Sequence, residues 1–127
     1  MTESLSSANP IRLFIGELLQ NKPEHDCLRA VYENLAKSDG WAYVFANFHA
    51  AGRQIDLAVF TEKTTLVIEA KGYLLPIRGS VNGLWEQIGP YGSRQISNAY
   101  NQALDAKNAL RDEMQRLCRI WGYPNGR

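Results

Sequence analysis

Gln54-Ile55-Asp56-Leu57-Ala58-Val59-Phe60, followed by Thr61-Glu62-Lys63-Thr64 and then Thr65-Leu66-Val67-Ile68-Glu69-Ala70-Lys71, is the segment around which the rest of the chain arranges itself. Two runs rich in Val, Ile, Leu and Phe, separated by a polar four-residue tract, predict an antiparallel hairpin. A turn centred on Glu62-Lys63 sets Asp56 opposite Glu69 and Gln54 opposite Lys71. Cross-strand partners share a face, with Cβ atoms roughly 4.5 to 5.5 Å apart. One face then carries Ile55, Leu57, Val59, Leu66, Ile68 and Ala70. The other is apolar near the turn, with Ala58, Phe60 and Val67, and polar at its open end, with Gln54, Asp56, Glu69 and Lys71.

Such an open end is costly by itself. Like charges facing each other destabilise a strand pair, and an unpartnered buried carboxylate costs more. A hard divalent cation relieves both, because magnesium favours oxygen ligands and commonly takes one or two carboxylates plus waters and phosphates. Lys71 falls on the same face, where it can meet the acids or a bound phosphate.

Asp56, followed after twelve residues by Glu69-Ala70-Lys71, resembles the D…E-x-K signature of the PD-(D/E)xK nuclease superfamily. Its surroundings narrow the match. Gly52-x-Gln54-Ile55-Asp56, Ile68-Glu69-Ala70-Lys71-Gly72, Gly79…Gly83-x-Trp85 and Asn98-x-x-x-Gln102 are together similar to the NERD (nuclease-related) domain, over about residues 24 to 118. A D…ExK alone is a weak motif; its place on a hairpin in the correct register makes it more specific. The resemblance implies a restriction-endonuclease-like α/β core, αβββαβ in outline, with a mixed central sheet flanked by helices. It also implies magnesium or manganese held by Asp56, Glu69 and a helix-borne acid, with the Ala70 carbonyl assisting. Glu24 is the choice for that acid and Glu33 the reserve; from the residues alone Glu24 reads first as a solvated first-turn acid favoured by the helix dipole, and the resemblance reverses that order. Lys71 is implied to position water or steady phosphate oxygens, and Gln102 to orient a water or a phosphate oxygen.

The 127 residues are one domain's worth of chain. An apolar share of 45% and a charged share of 21% are ordinary for a globular protein. Fourteen basic residues against thirteen acidic ones give no chain-wide signature of nucleic-acid binding, so contact with a substrate must come from local basic residues. Arg53, Arg78 and Arg94 are the candidates. Cys27 and Cys118 lie far apart and form no ligand cluster. Without a signal peptide or an apolar run of about 18 residues, no membrane contact and a cytoplasmic location with reduced thiols are expected.

The flanks complete the expectation. Residues 1 to 22 read as an N-terminal arm, poorly ordered over 1 to 9, with Ile11 to Leu19 too short to assign by periodicity; residues 23 to 127 read as the nuclease-like domain. Pro23 starts a helix through about Lys37, on which Glu24 precedes Leu28, Val31 and Leu35 at helical spacing. Trp41 to Phe48 reads as a strand. His49 to Gly52 makes a connection, and His49 is read as a loop histidine without a catalytic part. Asn82-Gly83 between apolar flanks predicts a second hairpin extending the sheet. Residues 89 to 94 read as turn chemistry, and a long helix is expected from about Gln95 to Cys118, with Asn98 and Gln102 on one face and Arg94 just ahead of its N-terminus.

After that helix the family outline calls for a further strand, which the remaining residues do not supply. The expectation is a piece of a longer protein with a domain following Arg127, or a place filled by a second copy in a homodimer or by the Ile11 to Leu19 run. The function expected is metal-dependent hydrolysis of phosphodiester bonds, DNA before RNA, in bacterial DNA processing or defence. The alternative is a nuclease-like module that binds nucleic acid or a partner protein without cutting; the intact Asp56, Glu69 and Lys71 speak for the active form.

Overall fold

The computed structural model describes residues 10–122, so the expected disorder of residues 1 to 9 lies outside the described residues. The chain is α/β, with a mixed four-stranded sheet, a separate three-stranded sheet and two helices. It forms two compact units, Met1–Phe48 with Ile55–Ala70, and His49–Gln54 with Lys71–Arg127.

The first unit holds β1 (Ile11–Ile15), α1 (Lys22–Ala36), most of β2 (Ala42–Ala50) and of β3 (Arg53–Thr61), and β4 (Thr65–Ile68). The strand order is β1-β2-β3-β4. β1 runs parallel to β2, with Ile11 beside Ala42 and Ile15 beside Ala46. The undecided Ile11 to Leu19 run therefore divides into a strand and a loop. The cause is Asn47, buried at 5% exposure with a φ of 52°. Its carbonyl accepts from the Glu17 N–H, and its Nδ2 donates to the carbonyls of Glu17 and Leu18 at 3.1 and 3.0 Å. Gly16 is needed there, because a Cβ would stand 2.6 Å from the Asn47 carbonyl oxygen.

β2 and β3 are joined by Ala51 and Gly52 alone, at φ of 51° and 75°, the positive pair that matches the twist of antiparallel neighbours. His49 and Ala50 thus extend β2 instead of forming a loop. β3 and β4 pair in the expected register, Leu57 with Ile68 through Phe60 with Thr65. Thr61 locks the turn, its Oγ1 accepting from the N–H groups of Lys63 and Thr64. The odd-numbered face of β3 meets α1: Leu57 and Val59, with Val44 and Ala46 of β2, pack against Cys27, Leu28, Val31, Leu35 and Ile68. Full burial of a Val or Leu side chain, as at Val44, Leu57 and Val59, contributes about 1.5 to 3 kcal/mol. On the even side an aromatic row crosses three strands, Phe14 stacked on Phe45 at 4.8 Å and Phe45 edge-on to Phe60 at 5.6 Å.

The second unit departs further from expectation. β5 (Ile77–Arg78), β6 (Trp85–Gly89) and β7 (Gly92–Ile96) form their own antiparallel sheet and do not extend the first. A two-residue Asn82-Gly83 turn would set Val81 opposite Leu84; instead Ile77 faces Gln87 and Arg78 faces Glu86, leaving residues 79–84 as a loop. Tertiary bonds outcompete the local turn. Trp85 Nε1–H donates to the Ser80 carbonyl at 2.7 Å, and its ring fills the space where a Cβ on Gly79 would lie. Asn98 Nδ2 donates to the Gly83 carbonyl at 2.8 Å, with Val81 and Ser80 at 3.3 and 3.4 Å.

Residues 92 to 96, taken as turn and helix start, are β7. Helix α2 runs from Ala99 to Trp121, with Asn98 as its N-cap accepting from the Asn101 N–H. Its buried residues are Ala106, Ala109 and Leu110. Tyr100, Met114 and Leu117, spaced along the same helix, are 50%, 41% and 41% exposed. Gly122, at a φ of 78°, closes the helix in the left-handed conformation.

Candidate functional site

Asn21-Lys22-Pro23-Glu24 opens α1 in a way its spacing foretells. Asn21 Oδ1 accepts from the Glu24 N–H at 3.0 Å, Pro23 takes a first-turn position, and Glu24 Oε1 accepts from the Gln20 N–H at 3.4 Å. This is the reciprocal logic of a capping box. It fixes the Glu24 carboxylate at the positive end of the helix and answers a backbone donor that would lack a partner. The Asn-x-x-Glu signal was present in the sequence and explains Glu24 structurally without any ligand.

Asp56 is held from the other side. The β3–β4 ladder ends at Leu57 with Ile68, so the expected facing pair of Asp56 and Glu69 does not form as a ladder pair. Beyond that point the Ala70 N–H donates to Asp56 Oδ2 at 3.0 Å. A charged acceptor makes this one of the stronger backbone bonds, and it sets the orientation of the carboxylate. Glu69, half-buried, lies between Ile68 and Ala70 along this turn of chain.

Glu24 and Asp56 line one small pocket of about 10 Å³, whose other walls are Leu19, Cys27, Leu28, Ala46, Leu57 and Ala70. That space admits one water-sized particle. Burial pushes the Cys27 thiol above its ordinary pKa, and the Asp56 carboxylate adds to the shift. Glu33, the reserve acid, is exposed on α1 and does not line the pocket.

Among the described residues no group of three or more His, Cys, Asp or Glu side chains stands ready to hold a metal ion. The donor chemistry fits magnesium or manganese, since two carboxylates supply hard oxygens and magnesium needs only one or two of them, but the pocket has room for one water-sized particle, so the ion's waters would lie outside it.

The remaining sequence-predicted residues belong to the second unit. Lys71 follows Ala70 along the chain and is exposed. Gln102 is in the first turns of α2; its carbonyl accepts from Arg53 Nη2 at 3.5 Å, and among the described residues its buried Oε1 has no partner, nor has Arg53 Nε. Arg53 also approaches Asp105 at 3.9 Å. Asn98 is not on a helix face beside Gln102 but caps the helix and ties down the Ser80 to Gly83 loop. Arg78 is paired with Glu86 at 2.7 Å, which holds the Glu86 carboxyl below its usual pKa range. Arg94 stands exposed on β7 opposite Gln87, four residues ahead of the helix cap. Asn47, which positions the loop into α1, was missed; nothing in the sequence marks an asparagine inside a strand as a positive-φ anchor.

No helix among the described residues is long and apolar enough to cross a membrane. A family model described as Nuclease-related domain (NERD) matches residues 21–124. No curated protein and no solved structure matches the chain.

Proposed function

Because the chain belongs to the nuclease-related domain family, we propose that it hydrolyses phosphodiester bonds, in DNA before RNA, with magnesium or manganese held by Asp56, Glu69 and Glu24. The observation that carries this reading is the convergence of Glu24 from α1 and Asp56 from β3 on one otherwise apolar pocket. Both carboxylates already accept a backbone N–H, and a cation would give their remaining oxygen lone pairs a partner.

When bound, the cation lowers the pKa of a water and offsets charge developing on the phosphate. The chain's own residues do the rest. Asp56 keeps one orientation through the Ala70 N–H, and Glu24 through the Gln20 N–H. Leu19, Leu28 and Leu57 line the pocket beside both carboxylates, and their low polarity strengthens the field of the acids. Lys71, two residues beyond Glu69 along the chain, is the ammonium assigned to the non-bridging phosphate oxygens.

The second reading, a module that binds nucleic acid or a partner protein without cutting, draws on the near balance of fourteen basic and thirteen acidic residues. Supercoiled plasmid with magnesium separates the two. Wild type should nick it, and Glu69→Ala and Lys71→Ala should each lose nicking by at least about a hundredfold, as expected when a group acting on the transition state is removed. Nicking that survives both substitutions overturns the assignment; plasmid retained but uncut by wild type favours the binding module.

A further inference from the structure

The β6–β7 hairpin carries a side chain that the fold does not use. Tyr91, at its tip, is fully exposed at 101%, so its ring adds nothing to any core. The ribbon that presents it is stiff. Five successive pairs, from Trp85 with Ile96 to Gly89 with Gly92, lead to a turn of only Pro90 and Tyr91. Pro90 fixes its own φ, and Gly92 takes a φ of 128° that side chains rarely adopt. The backbone that carries the ring is therefore constrained, so that only the side-chain torsions of Tyr91 lose freedom on meeting a partner.

The strand continues from this tip into α2 through Asn98, which is 6% exposed and bonded to the carbonyls of Ser80, Val81 and Gly83. Tyr91, Arg94 and Tyr100 follow one another along this anchored stretch of chain, with Tyr100 half exposed in the first turn of the helix. From Gln87 to Leu104 the sequence contains no acidic residue and a single basic one, Arg94. Among the described residues Arg94 has no ion-pair partner. Glu86, just before this stretch, is occupied by Arg78 and Ser93. Ser97 and Asn101, beyond the end of β7, are exposed and supply neutral hydrogen-bonding groups, while Ser93 and Gln95 alternate with Arg94 onto the other face of the ribbon.

From this we infer that the path from Tyr91 through Arg94 to Tyr100 binds single-stranded nucleic acid, with bases stacked on the two tyrosines and a phosphate on Arg94. Stacking is indifferent to base identity because every base has a π-face, whereas duplex binding without sequence contacts rests on many cations. Two exposed rings and one guanidinium without neighbouring carboxylates match the first requirement and not the second. The choice of nucleic acid as ligand rests on the nuclease reading; the surface itself does not involve Asp56, Glu69 or Lys71.

The test reads binding in the presence of EDTA, where no cleavage confuses it. Fluorescence anisotropy of a labelled oligothymidylate, and of a blunt duplex of the same length, is followed with the full chain over a range of salt. The single strand should bind more tightly than the duplex. Tyr91→Leu and Tyr100→Leu should each weaken single-strand binding by about tenfold, and Tyr91→Phe should restore it. Arg94→Gln should lower the salt slope by about 0.7. Equal binding by wild type and both leucine variants, or duplex bound as tightly as single strand, overturns the inference and leaves the nuclease reading standing. Tyrosine-dependent binding by a protein that cuts nothing supports the surface and removes the nuclease reading.

Discussion

Asp56→Asn separates the structural and the metal-binding work of one carboxylate. The asparagine side chain keeps an oxygen for the Ala70 N–H, which now reaches Asp56 Oδ2 at 3.0 Å. A hydrogen bond to a charged acceptor contributes about 1.5 to 3 kcal/mol and one to a neutral acceptor about 0.5 to 1.5, so the exchange costs about 1 kcal/mol. Against that stands relief of a carboxylate facing Leu19, Leu28, Leu57 and a second acid, Glu24. The terms oppose, and without metal the Tm should move by less than about 4 °C for a domain of this size. Added metal tells the forms apart. At ten times its Kd a ligand stabilises by about 1.4 kcal/mol, which raises the wild-type Tm by about 5 °C. Differential scanning fluorimetry with manganese or magnesium should show that rise in wild type and little of it in Asp56→Asn. Glu24→Gln keeps an acceptor for the Gln20 N–H and should fall between. Equal metal-induced rises in wild type and Asp56→Asn would place the cation elsewhere and refute the assignment of the pocket.

Two further outcomes follow from the same coordinates. Asn98→Ala removes a helix cap, about 1 kcal/mol, and a buried donor to the Gly83 carbonyl, about 1 kcal/mol more; circular dichroism should show the Tm lowered by about 8 °C, and an unchanged Tm would mean that the loop and the helix start are not coupled. Cys27 has its thiol pKa raised by burial first and by Asp56 second, so its contribution to stability is complete below the unfolded thiol pKa of roughly 8.5 and is lost as pH rises through the higher folded value. Urea melts should therefore weaken on the alkaline side, Cys27→Ala should flatten that loss, and Asp56→Asn should shift it only in part; an alkaline loss identical in Cys27→Ala would assign it to another group.

The central hairpin was legible because its signals are local. Three apolar pairs, a fourth of Phe60 with Thr65, and a polar tract closed by the Thr61 hydroxyl define one register, and a slip by one residue would turn Leu57 and Val59 away from α1. The start of α1 was legible for the same reason. What escaped was decided at a distance. β7 offers no alternation, being exposed along Gly92-Ser93-Arg94-Gln95 and held by backbone pairing with β6. The Asn82-Gly83 turn gave way to bonds from Trp85 and Asn98, neither adjacent to it in sequence. The division of the Ile11 to Leu19 run depends on Asn47, about thirty residues downstream. Glu24 and Asp56 line one pocket, but the bond that orients Asp56 comes from a backbone N–H, which no side-chain pattern encodes.

That last point changes what the acids imply about activity. Glu24 answers the Gln20 N–H at the start of α1, and Asp56 answers the Ala70 N–H just past the end of β4. Both are positions where a strand or helix ends and its backbone donors lack regular partners. The two acids therefore contribute to folding whether or not a cation is ever bound, and their presence by itself separates an enzyme from an inactive relative less sharply than their desolvation cost suggests. Asparagine and glutamine supply the same backbone acceptors at lower cost in an apolar pocket. A module kept only for binding has no use for the charges, whereas a metal site requires them. The discriminating quantity is therefore the response to the neutral isosteres: a fold that tolerates Asp56→Asn and Glu24→Gln while losing its metal response has its carboxylates for the cation, and one that loses neither has them for the backbone.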